Sequence, residues 1–416
     1  MFSQSAEWET PTYTFERQLR KNIGILMHVL MIGTDTTLLT GSIDNTLERH
    51  ENYALRADGQ ISIVLCNRKQ ADRPLTPYRS ERLLVQPTES RGYADYIPSG
   101  VRLGMARHAE QPIDVITSQD PFLTALVGLR LRAKTRRPLI VQDFSCFVSS
   151  PYFLRERPRN RLLRLMARFT LPRADAVRVL NKRERLACIR LGVKPDRVCL
   201  APIVTHIDPF AAPADPEQVA AWRERLDLPE GTPIVLWVGR PVTFKNLPML
   251  LQAFKRVQSA MPQARLVLAG DMEGSNVIGQ AAAYGLSDVT RFPGAVQYAD
   301  LPPLYQIASV YALSSNYEGL GRVLLEAAAA HVPLVSTANE GASDIIAHGI
   351  TGYLTPIGDP DKLAESILAV LQHPVRAKQM AERAHQYVMN HFAPETLTAR
   401  WVKMWSRVGQ GLSPCE

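Results

Sequence analysis

Ser315-Asn316-Tyr317-Glu318-Gly319-Leu320-Gly321-Arg322-Val323-Leu324-Leu325-Glu326-Ala327 sets two carboxylates, Glu318 and Glu326, eight positions apart around a glycine turn. The apolar segment before it, Ala308-Ser309-Val310-Tyr311-Ala312-Leu313-Ser314, reads as a buried parallel strand, and Gly319-Leu320-Gly321 then opens into a helical run from Val323 to Ala330. Backbone N–H groups therefore point out of a helix N-terminus, a setting that favours an anion. At about 3.6 residues per turn, Glu326 falls inside the helix while Glu318 stands on the loop before it, so both can face one ligand from different heights. A ligand with a phosphate and several hydroxyls fits. An ordinary strand-to-helix turn is the plain alternative, and the surrounding residues have to decide.

Upstream, Pro233-Ile234-Val235-Leu236-Trp237-Val238-Gly239-Arg240 reads as another buried strand ending in a glycine and a cation. Lys245-Asn246 follows and opens an amphipathic helix from Leu247 to Val257. Arg240 offers a planar fork to phosphate oxygens and Lys245 a mobile point charge, so the pair suits a pyrophosphate and its stabilisation as a leaving group.

With these residues the chain resembles the retaining glycosyltransferases of family 4, on the two-Rossmann-domain architecture called GT-B. The blocks that carry the resemblance are Gly239-Arg240 with Lys245, Ala269-Gly270-Asp271, Phe292-Pro293-Gly294-Ala295-Val296 with Leu304-Tyr305, the Glu318 to Glu326 segment, Val332-Pro333-Leu334-Val335-Ser336-Thr337, and Gly349-Ile350-Thr351-Gly352-Tyr353-Leu354. The resemblance implies that Arg240 and Lys245 bind a donor diphosphate, that Glu326 takes the ribose hydroxyls and that Glu318 contacts the transferred sugar. It implies backbone contacts from Gly319, Leu320, Gly321 and Arg322, with Val296 beside the nucleobase. Two departures bear on the donor loop: Glu340-Gly341 stands where the family often has two glycines, and Asn246 where glycine is usual.

The first half is less explicit. Its candidate strands are Ile23 to Ile32, Ile61 to Cys66, Val115 to Thr117, Leu139 to Gln142, Ala176 to Leu180 and Val198 to Ala201, alternating with helical segments as a doubly wound parallel sheet does. After Leu139, Gln142-Asp143 replaces the His-Gly pair frequent in the family, so Asp143 is a candidate catalytic residue that accepts a hydrogen bond from the acceptor hydroxyl; a loop- or helix-capping aspartate is the alternative. Gly33 after the first strand is a candidate to approach the donor phosphate, or is a plain turn.

A chain of 416 residues with 46% hydrophobic content suits two α/β domains. We place an acceptor-binding domain at 1–208, with the C-terminal helix at about 391–416 packing back on it through Trp401 and Trp405, and a donor-binding domain at 209–390. The boundary follows the Pro- and Ala-rich stretch Pro209 to Pro216. No apolar run reaches the ~18 residues of a membrane helix. Glu7, Glu9 and Glu16, without a cationic start or apolar core, argue against a secretory signal. Five cysteines with no Cys-x-x-Cys spacing argue for a reducing cytoplasm and against zinc.

The net charge of +8 is concentrated in Arg130, Arg132, Lys134, Arg136 and Arg137, and in Arg155, Arg157, Arg159, Arg161, Arg164, Arg168 and Arg173 interleaved with Leu162, Leu163, Leu165, Met166 and Phe169. The second cluster reads as a basic amphipathic helix, either on an anionic membrane surface or with its arginines simply solvated. No nucleic-acid-binding module is present.

The expected function is therefore nucleotide-sugar-dependent glycosyl transfer with retention, in polysaccharide or glycolipid assembly. The donor is UDP- or GDP-linked, and the acceptor a saccharide or lipid-linked saccharide. No Asp-x-Asp pattern is read as holding a metal on the diphosphate, so metal-independent activity without a cofactor is expected. The alternatives are a nucleotide-sugar-binding regulatory protein on an inactive GT-B scaffold, or another GT-B enzyme such as an epimerase.

Overall fold

The computed structural model describes residues 27–40, 46–69 and 74–415. Two α/β units, each with a parallel sheet between helices, make up the molecule. The first sheet contains β1 (Met27–Gly33), β2 (Gly59–Leu65), β3 (Tyr78–Arg79), β4 (Leu83–Pro87), β5 (Val115–Ser118), β6 (Leu139–Asp143), β7 (Ala176–Val179) and β8 (Val198–Leu200). Its order is β3-β4-β2-β1-β5-β6-β7-β8, parallel throughout except for the short β3. The second contains β9 (Ile234–Val238), β10 (Arg265–Ala269), β11 (Thr290–Gly294), β12 (Val310–Leu313), β13 (Leu334–Thr337) and β14 (Tyr353–Thr355), in the order β11-β10-β9-β12-β13-β14.

Near-continuous apolar strands explain both sheets. Ile234, Val235, Leu236 and Trp237 have no exposed surface, nor do Val310, Tyr311, Ala312 and Leu313, as expected where helices cover both faces. Each order reverses direction at one point, between β1 and β5 in the first sheet and between β9 and β12 in the second. Ligands of such sheets bind outside the carboxyl ends of the strands at that reversal. Gly33 ends β1, Gly239-Arg240 follows β9, and the Ser314 to Glu318 segment follows β12.

Eight of the helices are numbered here: α1 (Thr46–Arg56), α2 (Leu123–Thr135), α3 (Pro151–Glu156), α4 (Arg159–Thr170), α5 (Lys182–Arg190), α6 (Leu247–Ala260), α7 (Arg322–Ala329) and α8 (Pro394–Gly409). Pro360, Pro374 and Pro394 each begin a helix, where a missing N–H costs nothing, so the proline breaks read from the sequence are helix starts. The α8 helix lies against the first unit, its Trp405 ring edge-on to Tyr53 of α1 with centroids 6.0 Å apart.

The chain crosses between the units at residues 201–207, and a fully buried arginine organises the crossing. Arg178 of β7 donates through Nε to the Ala201 carbonyl at 2.7 Å, through Nη2 to the Pro202 carbonyl at 2.8 Å and through Nη1 to Gln142 Oε1 at 2.9 Å. Its guanidinium also lies 4.1 Å from the Trp401 ring centroid. Burial pulls its pKa down to about 10, still charged at neutral pH. The irregular linker thus precedes the Pro209 to Pro216 stretch chosen from composition. Asp208–Ala211 is already helical, and Phe210 is buried edge-on against Tyr298 and Tyr305 of the second unit.

The first strand begins at Met27 among the described residues; Ile23 to Leu26 and the acidic positions Glu7, Glu9 and Glu16 lie outside them. Strand β4, not read from the sequence, extends the first sheet beyond β2. The cysteines give a correction. Cys199 at β8 and Cys415 near the C-terminus form a disulfide across 216 positions, so an odd count without local spacing did not mean that all were thiols. Closing so long a loop restricts the unfolded chain, and we predict that Cys415→Ser lowers unfolding stability by about 2–4 kcal/mol. Urea titration with and without reductant checks this: reductant should shift the parent and leave the variant unchanged, and a parent insensitive to reductant contradicts it.

Candidate active site

The two cations of the second sheet's reversal behave differently. Arg240 is exposed, and its side chain makes no bond to the described residues. Lys245 closes a short turn after β9, with its side chain 13% exposed and its Nζ 2.5 Å from Glu318 Oε1. Asn246 takes a left-handed φ of 49°, a conformation asparagine tolerates better than most residues, and donates through Nδ2 to Asn316 Oδ1 at 3.0 Å. Asparagine in place of glycine therefore preserves the turn and ties it to the segment before Glu318. Ser314 Oγ donates to the Lys245 carbonyl at 2.8 Å, and Ser315 Oγ to Glu318 Oε1 at 2.8 Å.

The Glu318-Gly319 turn is gripped from the first unit. Asn181, the N-cap of α5, donates through Nδ2 to the Gly319 carbonyl at 2.8 Å, and the Cys146 thiol donates to the Glu318 carbonyl at 3.1 Å. A Cβ on Gly319 would stand 1.7 Å from the Phe144 carbonyl oxygen just beyond β6, so only glycine lets the two backbones approach this closely. Gly321, at φ 75°, then turns the chain into α7.

An aromatic series crosses the same seam. Phe147 packs on Phe153 of α3 with centroids 4.9 Å apart, Phe153 lies edge-on to Tyr317 at 6.1 Å, and Tyr317 stacks on Phe244, beside Lys245, at 4.8 Å. Tyr317 also donates its hydroxyl to Glu156 Oε2 at 2.5 Å. The carboxyl ends of the two sheets thus face each other, with Lys245, Glu318 and the start of α7 between them.

Glu326 sits in the second turn of α7, 4% exposed, with Oε2 accepting from the buried Tyr305 hydroxyl at 3.0 Å. Burial and the neighbouring Glu326 carboxylate both push the Tyr305 hydroxyl far up, so it stays a donor. Leu320 is buried in the turn, Arg322 is the first residue of α7, and Val296 is half-buried just after β11. Gly33 sits at the first sheet's reversal, where a Cβ would stand 2.1 Å from Gln119 Oε1; its visible role is to make room for that side chain.

Asp143 has a different place from the one first considered. It is 1% exposed, and its Oδ1 accepts from the Ser145 and Phe147 N–H groups at 3.2 and 3.4 Å, capping its own loop. Burial first, then the adjacent Glu184 carboxylate, raises its pKa well above the usual range. No donor reaches its Oδ2, and a proton there lets Asp143 donate to Glu184, whose oxygens accept from the Val148 and Ser149 N–H groups at 2.9 Å each. The geometry is that of the loop-capping alternative. Glu340 lies across the seam, buried and raised chiefly by burial, with one carboxyl oxygen unpartnered. Its φ is negative, so it occupies the frequent glycine position without left-handed strain, and Gly341 N–H donates to the Glu318 carbonyl at 3.0 Å.

Sequence reading did not find Asn181, Tyr317, Glu184 or the anchoring role of Tyr305, because each acts on a partner far away in the chain. The one Asp-x-Asp in the sequence, Asp359-Pro360-Asp361, lies at a helix start. Asp359 caps a helix by accepting from the Asp361 and Lys362 N–H groups, and Asp361 pairs with Arg256.

This geometry defines a class of protein: two doubly wound units whose strand ends face each other, with a cation, a glycine turn and a helix carrying a buried glutamate at the reversal of the second. Comparison with known proteins narrows the class. A profile described as "Glycosyl transferases group 1" matches residues 218–387, and one described as "Glycosyl transferase 4-like domain" matches 52–203. The chain belongs to the group 1 glycosyltransferases of the GT-B fold. It is 32% identical over 187 residues to the lipopolysaccharide core biosynthesis glycosyltransferase LpsE of Rhizobium meliloti, covering 45% of this chain and 53% of the relative. It is 31% identical over 182 residues to a GDP-mannose-dependent monoacylated alpha-(1-6)-phosphatidylinositol monomannoside mannosyltransferase of Corynebacterium glutamicum, covering 42% and 47%. The chain thus spans about half the length of these curated relatives. Among solved structures, sucrose-phosphate synthase from Thermosynechococcus elongatus superposes with a TM-score of 0.78 at 23% identity, covering 92% of this chain and 99% of the other. HepE from Anabaena, in complex with UDP and glucose, gives 0.72 at 20%, covering 91% and 99%. These neighbours share the fold.

The buried Asp143 carries a pH prediction. A carboxyl whose folded pKa is raised favours folding below its unfolded pKa and loses that contribution as pH rises through the folded value. Asp143→Asn keeps the Oδ1 cap and removes the titration, so melting temperature should decline less steeply from the ordinary carboxylate range upward than in the parent. Equal slopes in thermal melts across pH contradict the assignment.

Proposed function

We propose that this chain moves a sugar from a nucleoside diphosphate donor to a hydroxyl acceptor, with retention of configuration, in the assembly of a cell-surface polysaccharide or glycolipid. The observation that carries the reading is the Lys245–Glu318 pair at the second sheet's reversal, beside the exposed Arg240. A low-exposure cation already held by a carboxylate is a site that an incoming diphosphate can take over. Lys245 and Arg240 would neutralise the departing diphosphate, and the freed Glu318 would turn to the sugar hydroxyls. Glu326, steadied by Tyr305, would accept from the ribose hydroxyls. The N–H groups at the start of α7 would face phosphate oxygens, and the closed seam would exclude water.

Retention is assigned to same-face attack assisted by the leaving phosphate. Asp143 is closed into its own loop, and Glu318, once freed, would be engaged by the sugar hydroxyls, so neither is offered as the nucleophile. UDP and GDP are both supported as donor carriers, since the HepE structures hold UDP and the Corynebacterium relative is named for GDP-mannose. A saccharide or lipid-linked saccharide acceptor follows from the relatives named for lipopolysaccharide core and phosphatidylinositol mannoside. Transfer is proposed to need no divalent metal and to take place in the cytoplasm. The cytoplasmic placement rests on the donor class, because the disulfide removes the cysteine argument. Among the described residues, no helix is long and apolar enough to cross a membrane.

Labelled UDP- and GDP-sugars incubated with the full chain and saccharide acceptors test the reading, with product anomer determined by NMR. Transfer that persists in chelator is expected; loss restored by magnesium or manganese contradicts the metal-free account. Glu318→Gln should leave nucleoside diphosphate binding equal or tighter while turnover falls ~10²-fold or more, because it frees Lys245 but removes the sugar contact. Diphosphate binding with neither transfer nor donor hydrolysis would favour the regulatory scaffold instead.

A further inference from the structure

The first unit carries a surface that the transfer chemistry does not use. In α4, Leu162 and Leu165 are each 61% exposed and Phe169 is 48% exposed. At about 100° per residue these three fall within one narrow arc of the helix, roughly 10 Å long. Other exposed large apolar side chains among the described residues, such as Leu55, Ile278 and Val375, lie singly. Lone apolar residues are ordinary on a surface, whereas a stripe along a helix marks a contact.

What borders the stripe identifies its partner. Between Pro151 and Arg173 the chain has seven arginines and one carboxylate, Glu156, which is occupied by the Tyr317 hydroxyl. Arg161 and Arg168 flank the stripe on one side and Arg159 on the other, all exposed. Arg173 lies over the Phe169 ring, 3.9 Å from its centroid, and donates to the Phe169 carbonyl at 2.9 Å. Apolar side chains edged on both sides by cations, with no free acid between, match a surface that is anionic at its outer layer and apolar beneath.

We propose that α3 and α4 form a docking surface for an anionic lipid bilayer, with Leu162, Leu165 and Phe169 entering the headgroup boundary and the arginines meeting lipid phosphates. The place of this surface gives it a consequence. Glu156 and Phe153 of α3 hold Tyr317, the residue before Glu318, so α3 joins the docking surface to the turn. The docking stands on its own; only the consequence, that the acceptor hydroxyl is delivered from the membrane side, rests on the transfer reading.

Cosedimentation of the full chain with vesicles tests the docking without any sugar substrate. Vesicles of phosphatidylcholine containing about one-third phosphatidylglycerol should bind at least ~tenfold better than pure phosphatidylcholine, since each arginine near an anionic surface is worth roughly fivefold, and added salt should weaken binding. The triple variant Leu162→Ser, Leu165→Ser, Phe169→Ser and the double variant Arg161→Glu, Arg168→Glu should each lose ~tenfold or more. Their melting temperatures should stay unchanged, because every altered side chain is exposed. Failure of the parent to bind anionic vesicles at low salt overturns the proposal, as does equal binding by the variants. A dimer in sedimentation velocity that the triple variant abolishes, without vesicle binding, would assign the stripe to a second copy of the chain and also overturn it.

Discussion

The turn at Glu318-Gly319 is held at once by both units, and the rest of the site depends on that grip. Its carbonyls accept from Cys146 and Asn181 of the first unit and from the Gly341 N–H of the second, while its carboxylate is engaged by Lys245. Backbone contact with Phe144 requires a residue without a side chain, and glycine is what stands there. A single turn thereby fixes the direction of α7, the position of Lys245 and the spacing between the units. Arg178 does the complementary work at the crossing point, fastening the linker carbonyls and Trp401 to β7. Any motion between the units would have to rearrange the polar and aromatic contacts at the turn.

Electrostatics at the seam has two parts of opposite character. Before α7 a cation and a carboxylate are paired at low exposure, so an anion that took Lys245 would leave the Glu318 carboxylate to be satisfied by hydroxyl donors. On the acceptor side Asp143 and Glu184 lie together, with Glu340 across the seam, and burial pushes the Asp143 and Glu340 carboxyls toward their neutral forms.

Much of this was legible in the sequence, for reasons that particular residues make plain. Short apolar runs rich in β-branched residues, such as Ile234 to Val238, read as buried parallel strands, and the turn from β12 into α7 announces itself through Gly319 and Gly321. The placement of Lys245, Glu318 and Glu326 at strand ends and a helix start was legible from the apolar runs and glycine turns beside them, and their part in binding a donor is the proposal. Strand β4 was missed because its signal is five residues long and ends in proline. Other features have no local signature at all. Neither Asn181 reaching Gly319, nor Cys199 meeting Cys415, nor Arg178 ordering the linker follows from spacing, because each joins segments that only the fold brings together. Asp143 shows the opposite case: the residue type fitted an acceptor for a substrate hydroxyl, but its Oδ1 takes the Ser145 and Phe147 N–H groups and caps the loop.

The central claim is that a nucleoside diphosphate takes Lys245 from Glu318, and calorimetric titration of UDP and GDP into the parent and into Lys245→Ala tests it most directly. One of the two should bind the parent at a single site, and the variant should bind it about 10- to 100-fold more weakly, as loss of a charge-assisted phosphate contact of ~1.5–3 kcal/mol requires. Equal affinity in parent and variant, or no binding of either diphosphate to the folded parent, would contradict the account.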